Sequence, residues 1–192
     1  MALTDIDITN RALTRIGAPT ITSFDDGSRE AEVMTQLYDH TFDTLITEAK
    51  WNFAVKDVEL SRDVTTPTDP NFDYQYLVPS DYVQLVCVLS TSGMPIRDYT
   101  RQGDYILTNY NRVFAKYLYK PSEPELPAWF INYLVVTLAH DSIENLVGIG
   151  SVQDRLAQQW QYARQTAYRM DNIENPAKDA LAPSRYVSVR HS

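Results

Sequence analysis

The hydrophobic pattern of the chain changes period twice. From Thr4 to Ile16 it is helical: Ile8, Ala12, Leu13 and Ile16 share a face. Thr4 and Asp7 are spaced as a cap pair, and Gly17-Ala18-Pro19 supplies a stop. Thr20 to Gly27 reads as a loop. Asp25-Asp26-Gly27 lacks the alternating acidic positions of a calcium loop and reads as the approach to a helix. There Ser28 caps, and Glu30 and Glu32 lie near the positive end of the dipole. A long second helix is predicted from Ser28 to Lys50. Ala31, Met34, Tyr38, Thr41, Leu45 and Ala49 form its stripe, widened by Leu37, Phe42 and Ile46. A stripe that wide needs partners on more than one side.

From Val55 to Lys120 the period shortens. Val83 to Leu89 is an apolar run that predicts a buried strand. Ser92-Gly93 and Arg101-Gln102-Gly103-Asp104 are turn signals. Tyr105-Ile106-Leu107 and Arg112 to Tyr119 read as a hairpin around Asn109-Tyr110-Asn111. In the second of these, Val113, Ala115, Tyr117 and Tyr119 alternate with a mixed face, as in a small sheet with one wetter side. Ser61 to Asn71 is polar and predicts a long exposed loop. The junction "EAKWNFAVKDVEL" (Glu48 to Leu60) places Trp51 and Phe53 where a polar turn is usual. They are expected to fill the seam between helices and sheet, or to form the last core turn of the second helix.

Helical spacing returns after Pro121, Pro124 and Pro127. Ala128 to about Val147 is apolar nearly all round and predicts the central helix. Ser151 is then expected to cap a last helix, with Asp154 completing a capping box. Its seam of Leu156, Trp160, Ala163, Ala167 and Met170 runs for roughly 35 Å. Asn175-Pro176 breaks it, and 175–192 reads as a flexible, extended tail carrying the alternating segment Arg185-Tyr186-Val187-Ser188-Val189-Arg190. The fold class expected is α+β: a four-helix bundle, residues 1–54 and 124–174, with a small antiparallel β-module at 55–123 inserted between the second and third helices.

Composition narrows the function. With 192 residues, one domain is the default, long enough to bury roughly 70% of its unfolded surface. A net charge of −8 argues against a nucleic-acid-gripping protein. Thirteen tyrosines, against six Phe and three Trp, suit surfaces that are half dry, such as subunit interfaces. The lone cysteine, Cys87, is expected to be buried and inert. The opening Met1 to Asp5 has no leader pattern, and the longest apolar run, Trp129 to Ala139, is too short to span a bilayer. A soluble protein made in the cytoplasm, with no membrane partner, is the expectation.

Catalytic chemistry finds little purchase. His140-Asp141-Ser142 has the residue types of a triad, but neighbours on a helix point about 100° apart and cannot relay in series. His140 and Glu144 share a face without a third metal ligand, His40 is expected on the wet face of the second helix, and His191 lies in the tail. Phosphate-loop, dinucleotide, nucleophile-elbow and CxxC motifs are absent. Asp57/Glu59 and Asp73/Asp81 are carboxylate pairs of the kind glycosidases use. No cofactor is implied.

An ordered series of residues carries a family resemblance. It runs Asn10-Arg11-Ala12-Leu13, Ile16-Gly17-Ala18, Ile21, Ser23-Phe24-Asp25-Asp26-Gly27-Ser28, Glu30-Ala31, Tyr38, Glu48-Ala49, Trp51-Asn52-Phe53-Ala54, Tyr76 and Val78-Pro79-Ser80-Asp81-Tyr82. In order and spacing this resembles the head-to-tail adaptor (connector) family of tailed phages, nearest the tail tubular protein A type. The likeness covers about residues 4 to 170. It implies a non-enzymatic virion protein at the head–tail junction, made in host cytoplasm, forming a homo-oligomeric ring, commonly a dodecamer. The ring would sit beneath the portal protein, hold the next tail component (a nozzle or tail tubular B-like protein) and let genomic DNA pass without specific binding. The tail residues Arg185, Tyr186, Val187, Val189 and Arg190 would then dock on the portal. A virion-associated glycan hydrolase using Asp73 and Asp81, a receptor-binding tail accessory, and a β-rich stopper ring are the alternatives.

Overall fold

The structure, a computed structural model, describes residues 3–148 and 150–174, apart from the side chain of Ser151. The chain is mixed α+β, with four helices and two small antiparallel sheets among those residues. The first helix, α1 (Asp5–Ile16), starts on a capping box: Thr4 Oγ1 accepts from the Asp7 amide, and the Asp7 carboxylate accepts from the Thr4 amide. It stops at Gly17, whose φ of 76° is the left-handed conformation glycine adopts without strain. In α2 (Arg29–Glu48), Ser28 Oγ caps the Ala31 amide at 3.1 Å. The buried positions of α2 are Ala31, Met34, Tyr38, Thr41, Phe42, Leu45 and Ile46, close to the stripe in the sequence.

A 3-10 turn over Asn52–Ala54 leads into β1 (Val55–Glu59), followed by β2 (Tyr74–Leu77), β3 (Tyr82–Leu89), β4 (Pro95–Ile96), β5 (Tyr99–Gln102), β6 (Tyr105–Thr108) and β7 (Phe114–Tyr119). One sheet has the order β1-β7-β3-β4 and the other β2-β6-β5. The helices α3 (Ala128–Leu146) and α4 (Ser151–Glu174) complete the described chain.

Two expectations about the strands need correction. β6 and β7 do not form a hairpin: β6 pairs with β2 and β5, and β7 with β1 and β3. Residues 109–111 therefore cross between sheets. They are held by long-range bonds, with Asn109 Oδ1 accepting from the Asp73 amide at 2.9 Å and the Tyr110 carbonyl from the Tyr76 hydroxyl at 2.7 Å. The tight hairpin is β5–β6, turning at Gly103. Nor is Cys87 buried. Along β3 only Val88 is buried, because the neighbour on that flank, β4, is two residues long and leaves the run half open. The last helix also begins at Ser151 itself, so that residue is its first turn rather than the residue before it.

α3 is the hub of the helices. It packs against α1, α2 and α4, while α1 and α2 touch little. Ten of its residues are buried, from Phe130 to Ile143. Leu156, Ala163 and Ala167 of α4 are buried against this core, whereas Trp160 and Met170 are half-buried. The apolar interior is thus in two clusters. One joins the helices, Trp51 and Leu118 of β7; the other joins the sheets through Leu60, Tyr76, Val88, Ile106, Val113, Ala115 and Tyr117. The alternation of β7 explains the division, since adjacent residues Tyr117 and Leu118 point to opposite faces.

The helix junction and candidate interaction surfaces

Trp51 is fully buried, and its position gives it two jobs. Its indole N–H donates to the Leu45 carbonyl at 2.6 Å. That carbonyl belongs to the last turn of α2, where intrahelical donors run out. A side chain thus performs the capping that a glycine performs after α1. The ring also fills the space between α3 and α4, with centroids 5.8 Å from Trp129, 5.6 Å from Phe130 and 5.0 Å from Tyr168. Phe53, half-buried, stacks on Trp129 and Phe130 at 5.4 and 4.9 Å. Both aromatics pack on α3 and α4 from the 3-10 turn beyond α2, in a cluster that also takes in Leu118 of β7.

The residue between them, Asn52, ties this corner to α4. Its amide N–H donates to Asp171 Oδ1 at 2.8 Å, and its side-chain Nδ2 donates to Asp171 Oδ2 at 2.8 Å. Asp171 is 7% exposed. Burial pushes its carboxyl above the ordinary carboxylate range, against the opposing pull of the Asn52 bonds. A second tie lies one helical turn back: Glu48 accepts from the Tyr133 hydroxyl at 2.7 Å and from Arg164 Nε at 2.6 Å. Burial, reinforced by the Glu48 carboxylate, holds the Tyr133 hydroxyl well above its usual range. Nothing local in the sequence marks Asp171 for this role, although an acid one step past a heptad seam is the place to look.

Several residues of the resemblance series act as joints. Asn10 reads the Ile21 backbone twice, donating to its carbonyl at 2.9 Å and accepting from its amide at 2.8 Å. Asp26 accepts from the Ser28 amide and hydroxyl and from the Thr22 amide, which keeps its carboxyl below the usual range. Asp81 accepts from Lys56 Nζ at 2.7 Å and from the Tyr117 hydroxyl at 2.8 Å. The Lys56 bond in particular holds Asp81 below the carboxylate range, and burial with Asp81 raises the Tyr117 hydroxyl to about 12.

These contacts bear on the carboxylate pairs. Asp81 is held as an anion, the wrong state for a general acid. Asp57 and Glu59 are spent on ion pairs with Lys116 at 3.3 Å and Arg112 at 2.6 Å. Asp73 contributes its backbone amide to Asn109. His140 Nδ1 does reach its neighbour Asp141 at 3.0 Å, contrary to the helix-geometry expectation, but Ser142 is buried and donates back to the Ala139 carbonyl. Among the described residues no group of three or more His, Cys, Asp or Glu could hold a metal ion, and no helix is long and apolar enough to cross a membrane.

The open surface of note lies between α1 and α4 over α3. A groove of about 510 Å³ is lined by Asn10, Arg11, Arg15, Ile131, Asn132 and Val135. It continues into a second of about 340 Å³ beside Arg155, Gln158 and Tyr162, the two sharing Arg15 and Asn132. Arg15 bridges the gap, donating to Asn132 at 2.8 Å and to Gln159 at 3.3 Å. The side chain of Tyr162 stands 70% exposed at the rim. The expected docking residues Arg185, Tyr186, Val187, Val189 and Arg190 lie outside the described residues. No family model matches the chain, and no curated protein matches it.

Proposed function

We propose that the chain is a head-to-tail adaptor of a tailed phage: a structural, non-enzymatic virion protein that forms a ring beneath the portal and extends the DNA conduit toward the tail. The observation that carries this reading is the agreement between the resemblance series and the joints of the fold. Asn10, Asp26, Trp51, Asn52 and Asp81, which belong to that series, each tie separate elements together or fix a helix start. A series that marks joints is what a shared architecture requires, whereas a shared active site would mark reactive groups.

In this reading the four helices act as one bundle with α3 at its centre, and residues 55–123 are a β-module held out from it. That α3 packs against α1, α2 and α4 supports the arrangement. The groove between α1 and α4 and the exposed Tyr162 offer surface for side-by-side contacts in a ring. About twelve copies at −8 each carry on the order of −96, a field that repels phosphates and lets a genome slide. Residues 175–192 dock on the portal, and repeated weak contacts around the ring add through effective concentration.

Electron microscopy of the protein mixed with purified portal tests the reading. Rings seated on portals are expected with the full chain and not with a chain stopped after Asn175. Failure of the full chain to bind portals refutes the adaptor role; attachment by the shortened chain refutes the role of the tail. Sugar release from host polysaccharide, abolished by Asp73→Ala or Asp81→Ala, would favour the hydrolase instead.

A further inference from the structure

The two sheets treat their edges differently. The outer edge of β2 is covered: Arg62 bridges to Tyr76, the Leu77 amide donates to Ser61 and the Asp63 amide to Gln75. β4 is only two residues long. β1, by contrast, is a five-residue strand paired on one side only. Among the described residues, no hydrogen bond beyond its ladder with β7 reaches the backbone of Val55–Glu59. Such a row of free amides and carbonyls is a template for an added strand.

The structure also fixes where the chain beyond α4 sets out. Asp171 is bonded to Asn52, three residues before β1, and Glu174 accepts from the Trp129 indole at 3.0 Å. The described end of α4 therefore lies by the 3-10 turn that leads into β1. Ten residues, 175–184, separate that point from the alternating segment, and ten residues reach roughly 33 Å, about twice the length of a five-residue strand. Pro176 and Pro183 fall before Arg185–Arg190 and leave its ladder donors intact. The exit point selects between the open edges, because β1 follows Asn52 within three residues and Asn52 is bonded to α4.

We infer that the open edge of β1 is a strand-docking site whose occupant is residues 185–190 of the same chain. The segment adds to the first sheet beside β1, in cis. The site follows from the edge and the exit point alone; its consequence, that the segment must leave β1 before it can reach a portal, rests on the adaptor reading.

Hydrogen exchange on the free full-length protein at low concentration tests this. Val187→Pro with Val189→Pro, and separately a stop after Glu174, should each speed exchange of the outward amides of β1 by about tenfold or more. Amides of α3 serve as the check that the fold is unchanged. Equal β1 exchange in all three proteins overturns the inference. So does protection that grows with protein concentration, because the occupant is then a second copy. Portal attachment is measured apart from this, so a chain that protects β1 yet ignores portals would sink the adaptor reading alone.

Discussion

Replacing Trp51 by alanine strikes the point where α2, α3 and α4 meet. The side chain is fully buried and lies within 5.0 to 6.4 Å of four aromatic rings. Emptying such a site costs about 3–5 kcal/mol in lost burial and cavity formation. The Leu45 carbonyl also loses its indole donor. If water cannot replace that bond, about 1–3 kcal/mol more is lost. Set against a total stability of about 5–15 kcal/mol, this is a large fraction. For a chain of this size each kcal/mol moves the melting temperature by roughly 2–4 °C, so the core contribution alone predicts a fall of about 6–20 °C. Calorimetry or circular dichroism during heating reads it. Trp51→Phe keeps one aromatic ring while losing the N–H and part of the indole, so its melting temperature should fall between wild type and Trp51→Ala. A melting temperature for Trp51→Ala within about 2 °C of wild type would refute the junction as a packed core.

Four further outcomes are expected. Asp171 has a raised carboxyl pKa in the fold, so the native state binds the extra proton. Stability then falls as pH rises from the ordinary value of 3.8 through the raised one, and Asp171→Asn should flatten that slope in pH-dependent melts. Asn10→Ala removes both bonds to Ile21 and should cost about 1–3 kcal/mol in a urea titration without changing its slope. Asp81→Ala should cost about 1–3 kcal/mol because it strips the acceptor from the buried Tyr117 hydroxyl. Lys56→Ala, which breaks an exposed pair and a contact over the Tyr119 ring but leaves the Tyr117 bond, should cost less than Asp81→Ala, about 1 kcal/mol in the same titration. Thr9→Val should stabilise by about 1 kcal/mol, since Thr9 Oγ1 is buried with no hydrogen-bond partner among the described residues; a loss of stability would show a hidden partner.

The helices were legible because their signals are local. Thr4 with Asp7, Ser28 with its helix start, and Gly17 after α1 act within one turn, and each sits where its chemistry predicts. Strand pairing is not local. The residues Asn109-Tyr110-Asn111 have the composition of a hairpin turn, but composition says nothing about which sheet the next strand joins. The burial of Cys87 depends on how long its neighbouring strand is, which the run Val83–Leu89 does not encode. Trp51 and Phe53 could be singled out from sequence as misplaced aromatics, whereas their partners on α3 and α4 could not. Asn52 and Asp171, 119 residues apart, meet only because α3 brings both ends of the helical set together.

That meeting has a mechanical side. A helix that ends freely can be peeled from its tip, one turn at a time, by a small pull. α4 is instead pinned near its last described turn, by Asp171 to Asn52 and by Glu174 to Trp129. Tension on the chain beyond Glu174 therefore loads these ties first, in shear across the corner where α2 hands over to β1. A chain hauled upon from that side would transmit the load into its interior before α4 began to unravel.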